Sequence, residues 1–179
     1  QAIICYGDKL THFTDFVRQL HMESLGKKTK IDGNPVNVNT GNVIWGGSGS
    51  DGQHSYFQLL HQGSYTIPID FIVDAGVSDD QMDTYSLANC LAQSESLMAG
   101  MQEADPERSI DGDKPNNVIL VNKLSPQSIG QLVSLYEHKV FVQSVIYGIN
   151  AFDQYGVELG KQIAQSLSKV ISKSSRYTG

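Results

Sequence analysis

Three short segments carry residue types that could do acid–base work on a small polar ligand. Gln19 and Glu23 stand four positions apart and fall on one face near the end of an expected helix. A carboxylate there can act as general base toward a carbon acid if burial raises its pKa; a solvated charge at an exposed helix end has the same spacing. His54 follows the glycine-dense loop 46–52. An imidazole at such a strand–loop–helix junction, where α/β folds bind ligands, could shuttle protons near neutral pH, although an incidental histidine in a surface turn fits the residue types equally. Gln154 and Lys161 lie seven positions apart, two helical turns or ~10 Å along an axis. On one helix face they would offer amide and ammonium donors to an anionic or hydroxyl-rich ligand. A solvated face with Glu158 and Lys161 paired at i,i+3 is the alternative. Nucleophile motifs such as GxSxG, and the GK[ST] phosphate cradle, are absent from the sequence.

Strands and helices must hold these groups. Leu10, Phe13, Phe16, Val17 and Leu20 recur at helical spacing and predict an amphipathic helix over 10–25. A Gly/Asn/Lys-rich stretch over 26–42 follows, then Val43-Ile44-Trp45 as a strand feeding the loop 46–52, with a helix starting at Gln53. Residues 67–73 read as a buried strand and 79–101 as a long helix with Met82, Tyr85, Leu87, Leu91, Leu97 and Met98 at its apolar positions. After a turn-rich connector over 105–115, Asn117-Val118-Ile119-Leu120-Val121 is the best strand in the sequence. Ser125-Pro126 has the form of an N-cap followed by proline at N1 and opens a helix through Val145; a last helix is expected over 153–171. Strands alternating with longer helices predict an α/β class with a largely parallel sheet flanked by helices.

Bulk composition narrows the partners. The 179 residues, 40% hydrophobic, suffice for one substantial core, and one domain is expected. A net charge of −6 without a Lys/Arg cluster argues against nucleic acid, while a locally positive pocket for a phosphorylated small molecule stays open. Cys5 and Cys90 form no CxxC or zinc spacing, which predicts neither a disulfide framework nor a metal site and fits a reducing cytoplasm. No window reaches the ~18 apolar residues of a membrane span, so no membrane partner is expected. A start without Met, in mid-pattern, is expected of a segment of something longer.

The three segments, in this order, resemble the glucose-6-phosphate isomerase family. Ser144-Val145-Ile146-Tyr147, Phe152-Asp153-Gln154 and Gly156-Val157-Glu158 with Lys161 match its C-terminal signature; Met22-Glu23-Ser24, Gly52-Gln53-His54, residues 58–63 and Tyr136-Glu137-His138-Lys139 match further motifs. The resemblance runs from the first residues to about Ser166. It implies a sugar-isomerase type fold and a reaction between glucose 6-phosphate and fructose 6-phosphate through a cis-enediolate, with no metal or organic cofactor. Glu23 is implied to be the base; His54, helped by Lys161, to open the sugar ring; Gln19 and Gln154 to contact the substrate. A homodimer is implied too, with His54 serving the neighbouring subunit. The resemblance implies that the whole chain, 1–179, is the C-terminal sugar-isomerase domain of a longer enzyme. A first such domain brings the family's phosphate-binding loop and the arginine that stabilises the enediolate, so little or no activity is expected of this chain alone. A non-catalytic sugar-phosphate-binding module, or an isomerase of another phosphosugar, are the alternatives. Ser50-Asp51, Leu25, Tyr155, Asp113-Lys114-Pro115-Asn116 and the tail 172–179 depart from the family pattern.

Overall fold

Residues 1–76 and 81–174 are described by the computed structural model. Four parallel strands, β1 (Ala2–Tyr6), β2 (Trp45–Ser48), β3 (Ile69–Asp74) and β4 (Asn116–Val121), lie in the order β2-β1-β3-β4. Alternate residues of the central strand point to opposite layers, as strand geometry requires. Ala2, Ile4 and Tyr6 pack with Phe57 and Leu60 of α3 (Phe57–Gln62) and with Cys90 and Leu97 of α4 (Gln81–Ala99) on one side, where Gly49 of α2 (Gly49–Gln53) lies against the Tyr6 ring. Ile3 and Cys5 pack with Phe13, Val17, Leu132 and Tyr136 from α1 (Phe13–Leu25) and α5 (Pro126–Tyr147) on the other. The predicted parallel α/β sheet flanked by helices is therefore what forms.

Its central strand is the one the sequence reading passed over. β1 is buried at every position, and a strand covered on both faces shows a continuous apolar run without alternation. β2 is displaced from the predicted Val43-Ile44-Trp45 into the glycines: Trp45 to Ser48 pair with Ala2 to Cys5, and Val43 is 66% exposed. At Gly46, φ +122°, a Cβ would stand 2.2 Å from the Ile3 carbonyl oxygen. Glycine here permits a close strand approach that its loop propensity disguises.

Helix ends also moved. The predicted 10–25 helix begins instead at Phe13, after a 3-10 turn Asp8–Leu10. A helix does not start at Gln53: α2 ends there, and α3 opens only at Phe57. For α4 the predicted start at Asp79 lies outside the described residues, as does the end of the divergent tail. The buried positions of α4 are Cys90 and Leu97, while Met82, Tyr85, Leu91 and Met98 are exposed. Its apolar residues encircle the helix, so periodicity alone could not select the face turned to the sheet. The Ser125 cap is as predicted: Ser125 Oγ accepts from Ser128 N at 3.2 Å, Ser128 Oγ from Ser125 N at 2.8 Å, and Pro126 follows. Along α5 the buried residues are Leu132, Tyr136, Val140 and Ser144, with Leu135 and Val145 exposed.

One buried carboxylate ties α5 to the sheet. Asp70, 4% exposed on β3, accepts from Gln1 Nε2 at 2.7 Å, Asn117 Nδ2 at 2.9 Å, Tyr136 Oη at 3.2 Å and Lys139 Nζ at 3.2 Å. Removing the acceptor strands four donors at once. Asp70→Ala is expected to destabilise the fold by about 3 kcal/mol in urea denaturation; a loss below about 1 kcal/mol would show that water replaces the carboxylate at little cost.

Candidate active site

The topology separates the candidate residues before any side chain is considered. β1 delivers the chain to the carboxyl edge of the sheet, and α1 returns it to the amino edge so that β2 can run parallel. From Phe13 to Glu23 this return covers about 15 Å. Glu23, near the C-terminus of α1, thus lies at the amino edge. His54 follows β2 and α2 at the carboxyl edge, where Gln53 Nε2 donates to Tyr6 Oη at 3.2 Å. His54 is the exposed C-cap of α2, its backbone N–H bonded to the carbonyls of Asp51 and Gly52.

Around Glu23 a cleft of about 1380 Å³ opens, lined among others by Lys27, Lys28, Lys30, Asp153, Gln154 and Tyr155. Three lysines against two carboxylates make this a locally positive basin on an acidic chain, suited to a phosphorylated ligand. Glu23 is half-buried, and Gln154 Nε2 donates to its Oε2 at 3.1 Å across 131 positions of sequence. Gln154 does not share a helix face with Lys161. It has φ −143° and ψ 38°, outside helical values, ahead of a 3-10 turn Tyr155–Val157; α6 (Glu158–Ser174) starts only afterwards. Asn150 Oδ1 accepts from Phe152 N at 3.0 Å in the preceding turn. Asp153 meets Lys27 at 3.6 Å. These contacts turn Gln154 toward Glu23. Lys161, in the first turn of α6, and Gln19, one turn before Glu23 on α1, are exposed and do not line the cleft. The structure brings together Glu23 and Gln154, and leaves Gln19, His54 and Lys161 on open surface.

Sequence reasoning missed Lys27 and Asp153 as the groups that join these two segments. The available signal was a lysine four residues after Glu23, just past the glycine that ends α1. It also missed that α1 places His21 at a core position, 2% exposed in the stripe Phe13, Val17, His21, Leu25. Both ring nitrogens are buried without a hydrogen-bond partner among the described residues, as is Oε1 of Gln143. Burial, then the Lys139 ammonium, push the His21 pKa below 6.5, against an opposing pull from the Gln143 side chain. The unfolded chain therefore binds the extra proton first as pH falls. His21's contribution is complete above about pH 6.5 and is lost on acidification through the window below it. Replacing it by Phe is expected to flatten the fall in urea stability as pH drops below about 6.5; an unchanged slope would assign the acid sensitivity elsewhere.

The thiols of Cys5 and Cys90 are free and buried, pushed up by burial to about 11 and about 12. They are unreactive at neutral pH. Among the described residues no three metal-ligating side chains converge, and no helix is long and apolar enough to cross a membrane.

Known proteins share this architecture. The family model described as phosphoglucose isomerase matches residues 1–179. The glucose-6-phosphate isomerase of Xanthomonas axonopodis pv. citri is 48% identical over 176 residues, covering 97% of this chain and 35% of the relative. That of Xanthomonas euvesicatoria pv. vesicatoria is 49% identical over 168 residues, 93% of this chain and 33% of the relative. The crystal structure of a glucose-6-phosphate isomerase from Chlamydia trachomatis superposes with a TM-score of 0.88 at 36% identity, over 96% of this chain and 35% of that one. A hypothetical protein of Thermus thermophilus, at 20% identity and a TM-score of 0.68, shares the fold. This chain spans about a third of the length of the curated relatives it matches. With a match across its whole length and a superposable sheet, the chain belongs to the phosphoglucose isomerase family.

Proposed function

We propose that this chain is the C-terminal sugar-isomerase domain of a glucose-6-phosphate isomerase, and that the enzyme interconverts glucose 6-phosphate and fructose 6-phosphate in cytoplasmic glycolysis and gluconeogenesis. The observation that carries the reading is the pairing of Glu23 with Gln154 inside a positive cleft. Glu23 takes the proton from C2 of the open-chain aldose and returns it to C1 of the cis-enediolate. Gln154 holds Oε2, which fixes the plane of the carboxylate and leaves Oε1 for the carbon acid. Gln19, one turn earlier on the exposed face of α1, contacts the part of the sugar phosphate that extends beyond the cleft.

His54 and Lys161 open the sugar ring. Because Glu23 and His54 stand at opposite edges of one sheet, the reading requires a homodimer in which His54 completes the partner's site. The rest of the longer chain supplies phosphate contacts and the enediolate-stabilising arginine. Two features support a longer chain: the length of the relatives, and α6, whose Leu159, Ile163, Leu167 and Val170 are exposed at 50–66% and which, among the described residues, packs mainly against the turn before it. A coupled assay of fructose 6-phosphate conversion by the full-length enzyme, unaltered against Glu23→Gln, tests the reading.

A further inference from the structure

We infer that Lys27 is a positioning residue for Glu23, acting as a staple between the last turn of α1 and the segment that carries Gln154. This rests on the isomerase reading of Glu23. An α-helix leaves its last four carbonyls without intrahelical partners. In α1 these are the carbonyls of Met22, Glu23, Ser24 and Leu25. Gly26 N takes Met22 O at 3.0 Å, and Lys27 takes all three others: its backbone N–H donates to Leu25 O at 2.7 Å, its Nζ to Glu23 O at 2.8 Å and to Ser24 O at 3.0 Å.

The ammonium also faces Asp153 Oδ1 at 3.6 Å, with the two side chains only 16% and 25% exposed. One cation therefore closes the turn that bears the base and anchors the residue next to Gln154. A positive charge is favoured at this end of a helix by the backbone dipoles, and partial burial of the pair limits screening by salt. Without the staple the turn bearing Glu23 frays, and Gln154 loses the anchor that keeps its amide on Oε2. Displacement of a base by a fraction of an ångström is paid in turnover rather than in substrate binding.

The test combines kinetics with hydrogen exchange. In the full-length enzyme, Lys27→Ala is expected to lower kcat by about tenfold or more with KM changed less than about threefold. Asp153→Asn should give a milder loss of the same kind, and Lys27→Arg, which can still donate to carbonyls and carboxylate, should recover most of kcat. In the full-length protein, amide exchange at Gly26 and Val157 should accelerate in Lys27→Ala, revert in Lys27→Arg, and leave β1 and β3 unchanged. A kcat within about twofold of wild type overturns the inference. So does unaltered exchange at both amides, or an acceleration spread evenly over the sheet, which marks general destabilisation. If the unaltered full-length protein isomerises nothing, the functional reading fails, and exchange still decides whether Lys27 holds the two segments together.

Discussion

Glu23→Gln in the full-length enzyme is expected to lower kcat by about 10³-fold or more while substrate still binds, because a positioned general base contributes roughly 10²–10⁴ and no second carboxylate near it can take over. The cleft does contain Asp153, but that carboxylate is engaged by Lys27 at 3.6 Å. The amide keeps the size and planarity of the side chain, and Gln154 Nε2 can still donate to its oxygen, so the change removes the proton acceptor with little else. Binding of fructose 6-phosphate should shift by less than about threefold, since the base contributes to the transition state and not to the ground state. Collapse of turnover with retained binding identifies Glu23 as the base. An unimpaired mutant would leave a family fold with a phosphosugar pocket and no isomerase chemistry at this residue, and a binding module would become the better description. Conversion of a different phosphosugar by the unaltered enzyme would keep the base and change the substrate.

The second large effect concerns assembly. Glu23→Gln and His54→Asn are each expected to reduce activity below about 1%. Mixing the two mutants in equal amounts under conditions that exchange subunits should restore about a quarter of wild-type activity. The arithmetic follows from the edges of the sheet on which the residues stand. In a mixed dimer one site receives both lesions, while the other receives intact Glu23 from one subunit and intact His54 from its partner. Random mixing places half of the dimers in this class, each with one working site of two. If both residues served the same chain, every site in the mixture would carry one lesion and nothing would be restored. The outcome separates the two arrangements without any structure of the dimer.

Several features followed from local sequence alone. The α/β class, the β4 strand and the capping of α5 by Ser125 and Ser128 rest on interactions within a few residues, and each has a local chemical signature. The motifs around Glu23, His54 and Gln154 were equally legible, and with them the family. What local chemistry misrepresented were the places where distant segments meet. Gly46 and Gly47 have loop propensity, yet pairing with Ile3 and Ile4 makes them a strand. Ala2 to Tyr6 show no alternation because both faces are covered.

At the site the division is the same. The sequence by itself determined that a carboxylate, an imidazole, two amides and an ammonium are present on segments of known type, since side-chain chemistry and short-range periodicity are written residue by residue. Only the tertiary structure decided which of them meet. The return of α1 along the sheet puts Glu23 and His54 at opposite edges, and the Lys27–Asp153 pair with the Gln154–Glu23 bond draws Gln154 out of the helix that spacing assigned it. Contacts across more than a hundred residues depend on how elements stack, and a helical period extrapolated along one segment carries no information about the segment that will pack against it.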